Sequence, residues 1–386
     1  MTHFRGLTWD HPRGRHALER AAVSPGLIGG DTLTWDVQPL EGFESAPLPE
    51  LAQEYDLIVL DHPHLGDALA ADCLVAIDDL FDERRCDTWR RAAVGPSFAS
   101  YRMGGRLWAL PLDAATQVSA RRVDRVPEAP SDWAAVRALA ARGGVALSLA
   151  GPHAFLTLCS MAVSLGDRPG RGAGLFEPTG ALAALDMLTE VAASVPSGSQ
   201  TQNPIALLDR MRDVGDIHYI PYVYGYVTHS SSLLSFGAPP AHEGRIGSII
   251  GGTGIGVTRR TPPSQALLEH LAWLLSPSVQ AGFIPDNDGQ PSVASAWENP
   301  RVDAAATRFY SATRDTMEQS FVRPRDVGYT AFQSWASARV RDVVLGHATA
   351  AATLTELEDR FAALRAASDA LLADAPGLRP AREARS

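Results

Sequence analysis

Strand and helix patterns alternate from residue 1 to about residue 115, and this alternation restricts the fold more than any other feature of the sequence. Extended patterns at residues 4–10 and 32–37 are separated by a helical pattern that contains Leu18, Ala21 and Ala22. Residues 56–61 (DLIVLD) hold a continuous apolar run, which is typical of a strand buried in a parallel sheet. The alternation therefore predicts an α/β fold built from βαβ units.

Polar and aromatic residues follow the first predicted strand. In sheets of this kind ligands bind beyond the carboxyl ends of the strands, which is where Trp9, Asp10 and His11 fall. In a binding site, Trp9 would offer a stacking surface and Asp10 would accept hydrogen bonds from hydroxyl groups. The alternative for Asp10 is a cap on the following helix. We favour the first interpretation and predict that these three residues contact a ligand.

The third predicted strand ends in a second polar group, Asp61, His62 and His64. We predict that Asp61 and His62 bind a ligand, with Asp61 accepting from a hydroxyl group, whereas His64 is more typical of a surface loop. Together with His11, the His-x-His spacing also suits zinc. That spacing is common and no partner motif accompanies it, so we predict no metal.

Residues 215–260 combine an aromatic run with a glycine cluster. If residues 217–228 are extended, Tyr222, Tyr224 and Tyr226 point to one face and form flat walls with hydroxyl tips, which suits a small polar ligand. The glycines that follow allow a ligand to approach the backbone. We predict ligand contacts at Tyr222, Tyr224, Gly252 and Thr253. The alternative is an aromatic core strand followed by a glycine-rich hairpin.

Three further polar residues are candidates for the site. Asp113 and Gln117 lie in the β-rich segment 106–118, where a ligand contact and a strand-end hydrogen bond are equally plausible. Arg323 can hold a carboxylate or phosphate with two parallel hydrogen bonds, and the alternative is an ion pair between helices. If Arg323 faces the site, an acidic ligand is favoured over a neutral sugar.

The composition excludes several classes of function. The chain has 386 residues, 45% hydrophobic and 20% charged, which indicates a globular protein of two lobes. Its net charge of −10 argues against a nucleic-acid partner. All 34 basic residues are arginine, which excludes Schiff-base and P-loop lysines. We predict no cofactor.

Targeting signals and membrane spans are not evident in the sequence. The N-terminus has no apolar segment of signal-peptide length, and no run of 18 apolar residues occurs. The three cysteines show no CxxC pair, which fits a reducing compartment. We therefore expect a cytoplasmic protein for the chain as given, and a periplasmic or extracellular one if a leader was removed.

Several loose motifs follow one another in an order that resembles a known family. They are LTWDH, DLIVLDHPHLG, LWALPLDAATQ, P-x-x-Y-G-Y, GGTGIGV with a leucine-rich helix after it, GQP and RPRxxGY. In this order they resemble the extracellular solute-binding proteins of ABC importers, carbohydrate-type family 1, over residues 1 to about 370. The resemblance implies a two-lobed, periplasmic-binding-protein-like (type II) fold with crossover hinge strands and extra C-terminal helices. It places one lobe at 1–112 and 253–305 and the other at 113–252 and 306–386.

Two functional hypotheses follow from this resemblance. The first is a binding protein that closes its lobes over a small polar metabolite, sugar-like or polyhydroxylated, either as an importer receptor or as a cytosolic sensor or carrier. Such a protein would be a monomer, and its partner would be an ABC permease if it is secreted. The second is an enzyme that reuses the cleft, with Asp10, His11, Asp61 and His64 as acid–base groups.

Overall fold

The computed structural model describes residues 1–172 and 174–373. The strands of that part are β1 (His3–Trp9), β2 (Thr32–Gln38), β3 (Leu57–Leu60), β4 (Leu74–Val75), β5 (Arg102–Met103), β6 (Arg106–Leu107), β7 (Leu110–Asp113), β8 (Gln117–Arg122), β9 (Tyr219–Tyr224), β10 (Leu234–Gly237) and β11 (Thr253–Thr258). Short 3₁₀ turns occur at Ile28–Gly30, His62–His64, Ile77–Asp79, Ser199–Thr201 and Val227–His229.

The α-helices of the same part are α1 (Pro12–Val23), α2 (Leu40–Ser45), α3 (Leu48–Glu54), α4 (Leu65–Ala70), α5 (Glu83–Ala92), α6 (Ser97–Ser100), α7 (Trp133–Ala140), α8 (His153–Ser164), α9 (Pro178–Ala192), α10 (Pro204–Asp213), α11 (Gln265–Leu274), α12 (Pro277–Gln280), α13 (Phe283–Asp286), α14 (Ala294–Trp297), α15 (Pro300–Ala305), α16 (Phe309–Glu318), α17 (Tyr329–Val344) and α18 (Ala350–Ala373). None of the helices in the described ranges is long and apolar enough to cross a membrane.

The larger sheet carries the first lobe, and its order is β2-β1-β3-β11-β4, with β7 also pairing with β11. Strand β1 runs parallel to both β2 and β3, whereas β11 is antiparallel to β3, β4 and β7. The predicted α/β class is therefore confirmed, with an added antiparallel strand. Because β1 and β3 are parallel neighbours, their carboxyl ends lie side by side.

The smaller sheet, of order β10-β8-β9, belongs to the second lobe. The chain leaves the larger sheet after Asp113, enters the smaller one at Gln117 and returns to the larger one at Thr253. The two crossings lie next to each other, because Thr253 pairs with Asp113 and Thr116 bridges to Ile250. The lobe boundaries given above stay a prediction, and the last residues of the second predicted lobe, 374–386, lie outside the described residues.

Buried side chains form two hydrophobic clusters, of which the first continues from one lobe into the other. The first surrounds the larger sheet and extends to β10, where Phe236 packs against Phe309 with ring centroids 5.2 Å apart. The second is built by α7, α8, α9, α17 and α18. Helix α17 lies at its centre and contacts α8, α9 and α18. The leucine and phenylalanine spacing of the last helix thus serves its own lobe, as Leu357 and Phe361 are fully buried there.

Side-chain caps fix where two of the helices begin. The Asp132 side chain accepts from the Ala135 N–H group at the start of α7. Ser264 caps α11 in the same way, so that helix begins at Gln265, after the prolines. Residues 145–149 form no strand of their own, although Val145 makes a single bridge to Tyr219.

Candidate ligand-binding site between the two lobes

A cavity of about 50 Å³ lies where the two lobes meet. The first lobe contributes the carboxyl ends of β1 and β3 together with α1 and α2. The second lobe contributes the end of β9, the start of α8 and the start of α17. The lining residues are Trp9, Arg13, Leu40, Phe43, Glu44, Asp61, Pro63, His64, Ala115, Pro152, Leu156, Tyr224, Tyr226, Gly251, Gly252, Thr253, Arg323, Thr330 and Gln333.

Aromatic rings form the wall beside β1. The Trp9 indole lies parallel to the His11 imidazole, with centroids 5.0 Å apart and an angle of 4° between the planes. Phe43 packs against Trp9 at 5.9 Å, and Tyr226 meets it edge-on at 6.1 Å. Helix α1 passes directly over the indole, because a Cβ on Gly14 would lie 2.2 Å from Trp9 Nε1. One face of Trp9 is therefore covered by the protein itself.

A buried ion pair between Arg13 and Asp113 lies behind this wall. The His11 side chain caps α1 and fixes the position of Arg13 at its start. The Arg13 Nε and Nη2 atoms donate to the two oxygens of Asp113 at 2.7 and 2.6 Å, and Nη1 donates to the Gly225 carbonyl of the second lobe at 3.1 Å. Both side chains are at most 6% exposed. All three nitrogens of the Arg13 guanidinium therefore donate hydrogen bonds to protein groups.

A second ion pair joins the lobes across the cavity, between Asp61 after β3 and Arg323. Arg323 also donates to Gln333 Oε1 at 2.9 Å and to the Ile250 carbonyl at 3.3 Å. Burial opposes ionisation of Asp61, but the Arg323 guanidinium and His62 outweigh it and hold the Asp61 pKa well below its usual range. Asp61 is therefore a permanent carboxylate at neutral pH.

A third contact between the lobes joins Glu44 of α2 to His153, the first residue of α8. The Glu44 Oε1 and His153 Nε2 atoms are 3.1 Å apart, and the imidazole is 2% exposed. The contact lies beside Pro152 and Leu156, which line the same part of the cavity. Helix α2 therefore closes one side of the cavity against the second lobe.

Three buried polar atoms of lining residues have no hydrogen-bond partner among the described residues: Trp9 Nε1, the Tyr224 hydroxyl and Arg323 Nε. Burial raises the pKa of Tyr224, so its hydroxyl stays protonated. An unsatisfied buried donor costs about 1–3 kcal/mol, and a polar guest in the cavity would remove that cost. These atoms are the strongest structural sign of a ligand.

Glycines let the crossover backbone approach the cavity. Gly252 has φ of +88°, and a Cβ there would lie 2.5 Å from the Asp113 carbonyl oxygen. A Cβ on Gly251 would lie 2.6 Å from the Tyr224 ring. A larger residue at position 252 would require movement of the backbone, and one at position 251 would require movement of the Tyr224 ring.

The structure brings together some of the residues that the sequence singled out. The cavity is lined by Trp9, Asp61, His64, Tyr224, Gly252, Thr253 and Arg323. His11, His62 and Asp113 lie directly behind it, each against a lining residue.

Three of the predicted residues lie elsewhere. Asp10 is exposed and pairs with Arg15 at 2.5 Å. Gln117 is fully buried and accepts from Ser160. Tyr222 packs against Trp133 in the core of the second lobe, with ring centroids 5.8 Å apart.

Several lining residues were missed from the sequence. Arg13, Phe43 and Glu44 contact partners that are distant in the chain, so no local motif marks them. Gln333 lies in α17, one helical turn after Thr330, and both line the cavity. Their i, i+3 spacing was the one available signal, but it resembles any polar face of a helix.

The acid–base groups of the enzyme hypothesis do not form a pair here. No hydrogen bond or ion pair joins the imidazole of His11 or His64 to a carboxylate within residues 1–172 and 174–373. Over the same ranges there is no cluster of three or more His, Cys, Asp or Glu side chains that could hold a metal.

Buried histidines near the site make stability depend on pH. Burial and the nearby Arg13 lower the pKa of His11 to about 3, and burial together with Arg323 lowers that of His62 to about 4. In the unfolded chain both imidazoles have a pKa of roughly 6.5. Between the folded-state and unfolded-state pKa values, the unfolded chain binds more protons than the folded one. These two histidines therefore contribute stability that is fully present above roughly pH 6.5 and is lost as the pH falls.

We expect the free energy of unfolding to drop by about 2–4 kcal/mol between pH 7 and pH 5, measured by urea unfolding at each pH. The variant His11→Gln should flatten the profile. His16→Gln, at a site where the side chain is 47% exposed, is the control and should leave the profile unchanged. A flat wild-type profile would contradict the burial argument.

Two lobes, two adjacent crossover segments and a cavity between the lobes define the two-lobed periplasmic-binding-protein-like fold. Solved structures share it along nearly the whole chain. An ABC transporter solute-binding protein from Agrobacterium radiobacter K84, in complex with ribitol, matches with a TM-score of 0.78 and 18% identity over 95% of this chain and 98% of that one.

Two other solved structures are similar. The maltose-bound MalE3 of T. maritima gives a TM-score of 0.78 at 15% identity, covering 94% of this chain and 100% of that one. A solute-binding protein from Thermotoga lettingae TMO, bound with α-D-tagatose, gives 0.77 at 12% identity, covering 96% and 100%. No protein-family model and no curated protein matches the sequence.

Proposed function

We propose that this protein is a solute-binding protein that encloses one small polyhydroxylated metabolite between its lobes. The observation that carries the proposal is the cavity between the lobes, where two of the three buried, unpartnered polar atoms are Tyr224 Oη and Arg323 Nε. A hydroxyl-rich ligand satisfies both, because each hydroxyl group donates one hydrogen bond and accepts two.

The proposed contacts come from both lobes. Asp61 accepts a hydrogen bond from one ligand hydroxyl, while Tyr224 and Arg323 donate to others. Trp9 and Phe43 cover the apolar C–H faces that a sugar or polyol also presents. Gly252 and Thr253 bring the crossover backbone to the ligand.

The neighbours with the same fold support this class of ligand. Those three structures hold ribitol, maltose and α-D-tagatose as bound compounds. We extend to this chain only what those compounds share, which is a small polar skeleton carrying many hydroxyl groups. Among the described residues, no geometric feature favours the alternative of an enzyme that uses Asp10, His11, Asp61 and His64.

The lobes would open and close about the crossings near residues 112 and 252, as in hinge-type binding proteins. A monomer suffices for this, because the cavity is complete within one chain. An ABC permease is the proposed partner if the protein works outside the cytoplasm, and a sensor or carrier role applies if it works inside.

A thermal-shift screen against alditols, monosaccharides, oligosaccharides, amino acids and carboxylates tests the proposal. A compound at 100 times its dissociation constant adds about 2.7 kcal/mol to the stability of the folded state, so we expect a hydroxyl-rich compound to raise Tm by about 5 °C. The variant Tyr224→Phe should bind that compound roughly tenfold more weakly.

Two results would contradict the proposal. One is a screen in which only amino acids or carboxylates raise Tm. The other is conversion of the stabilising compound to a product during incubation with the protein, which would favour the enzyme.

A further inference from the structure

We propose that residues 323–328 and helix α18 form a clasp that holds the two lobes closed beside the cavity. The contacts that carry the inference join this part of the chain to α4 and α6 of the first lobe and to α17 and α18 of the second. The clasp is a property of the lobes themselves, so it stands or falls independently of the ligand that the protein binds.

The first half of the segment follows the surface of the first lobe. Arg325 Nη1 donates to three carbonyl groups at the end of α6 and the start of β5, at distances of 2.6 to 3.1 Å. At the start of α4 the two backbones are in direct contact, because a Cβ on Gly66 would lie 2.3 Å from the Arg325 carbonyl oxygen. Arg323 is paired with Asp61 of the same lobe. Residues 323–326 are therefore attached to the first lobe.

The second half of the segment is attached to the second lobe. It leads into α17, whose first residue, Tyr329, is fully buried in the cluster of that lobe. The Val327 N–H group donates to Ser368 Oγ of α18 at 2.9 Å, and Ser368 is 1% exposed. Helix α18 is itself anchored in the second lobe by Glu358, whose carboxylate accepts from two backbone N–H groups just before α9, both at 2.7 Å. Residues 327–328 therefore move with the second lobe.

A hydrogen bond between α4 and the segment crosses from one lobe to the other. The Gly328 N–H group donates to Asp67 Oδ1 at 2.7 Å. Helix α4 follows β3 of the larger sheet, and its Leu65 and Leu69 are buried in the first cluster. Helix α18 contacts α4 as well, and Leu372 near its end packs against that cluster. The clasp therefore consists of one hydrogen bond and one packed helix end, both between the lobes.

The crossing hydrogen bond lies beside the cavity. Asp67 comes one helical turn after His64, and Gly328 comes two positions before Thr330; His64 and Thr330 both line the cavity. A movement that opens the cavity between these elements therefore separates Asp67 from Gly328. A hydrogen bond to a carboxylate is among the stronger ones, so its loss shifts the balance from closed to open lobes by roughly tenfold or more.

Access to the cavity depends on this balance. Residues of both lobes line the cavity, which measures about 50 Å³, so the lobes have to separate before a compound of sugar size can enter. A clasp that favours closed lobes lowers the fraction of molecules that are open at any moment. It thereby controls how often a ligand enters or leaves. This last consequence rests on the proposed function, whereas the clasp itself does not.

Small-angle X-ray scattering of the full chain, without any added compound, tests the clasp. We expect the wild type to scatter as the closed structure does. A compact chain of this length has a radius of gyration of roughly 21 Å, and we expect the double variant Asp67→Ala with Ser368→Ala to exceed the wild-type value by about 1 Å. The matched controls are Asp359→Ala and Ser334→Ala, at exposed positions of α18 and α17, which should scatter as the wild type does.

Two outcomes overturn the inference: a wild type whose scattering already requires open lobes, and a folded double variant with the wild-type radius of gyration. If the double variant fails to fold by circular dichroism, the single variants Asp67→Ala and Ser368→Ala replace it, and wild-type scattering from both has the same meaning. Neither outcome bears on the proposed function, which the thermal-shift screen decides separately. An open double variant combined with a failed screen supports the clasp and overturns the proposed function.

Discussion

Replacing Asp113 with alanine is expected to lower the free energy of unfolding by about 3–5 kcal/mol. The change removes two of the three acceptors of the Arg13 guanidinium, whose side chain is only 4% exposed. Burial opposes the charge of Arg13, and Asp113 is the group that outweighs this and raises the Arg13 pKa. Urea unfolding of the purified variant measures the loss.

An exposed ion pair of the same type provides the control. Arg5 and Asp36 lie 2.6 Å apart, but their side chains are 41% and 47% exposed. Asp36→Ala should therefore cost less than about 1 kcal/mol. The double variant Arg13→Met with Asp113→Leu removes both charges and should recover much of the loss. Equal losses for Asp113→Ala and Asp36→Ala would show that burial of the Arg13 pair has no special cost.

Replacing Arg323 with methionine is expected to weaken binding of the tightest neutral probe from the thermal-shift screen by about 100-fold, which corresponds to roughly 3 kcal/mol. The variant loses the proposed donor to the ligand, and it also loses the bond that ties Asp61 of the first lobe to the second. Asp61 then faces the cavity as an unpaired carboxylate. Calorimetric titration measures the affinity, and circular dichroism verifies that the variant is folded.

Arg301→Met is the matched control, because Arg301 pairs with Asp286 at 2.9 Å on the surface, where both side chains are 56% exposed. It should bind the probe as the wild type does. A folded Arg323→Met protein with wild-type affinity would remove Arg323 from the proposed site.

The sequence predicts the position of the candidate site because that position follows from strand order. Trp9 and Asp61 end two strands whose apolar patterns were clear, and parallel pairing of β1 with β3 brings their carboxyl ends together. The glycine cluster was equally readable, because Gly252 adopts a φ that few other residues tolerate. These features depend on local sequence and on one rule of topology.

Other parts of the site depend on contacts between distant residues. Alternation placed Tyr222 and Tyr224 on one face, yet the ring of Tyr222 packs on Trp133 within the second lobe, and only Tyr224 reaches the cavity. Strand β9 pairs with β8 through an irregular register, which changes the direction of successive side chains along it. The alternation of residues along the sequence therefore does not predict which of these tyrosines reaches the cavity.

Pairing of charges was likewise beyond the sequence. Arg13 and Asp113 are separated by 100 positions, and no spacing rule joins them. The same holds for Glu44 and His153, which lie on helices of different lobes. Sequence patterns predict which types of residue lie near the cleft. Only the structure shows which charged residues pair with one another there.

The most direct measurement is a crystal structure of the protein grown with the tightest neutral probe from the thermal-shift screen. We expect one molecule of the probe between the lobes. It should accept hydrogen bonds from the Tyr224 hydroxyl and Arg323 Nε and donate one to Asp61. Electron density for the probe outside this cavity, or lobes closed with the cavity free of the probe, would contradict this expectation.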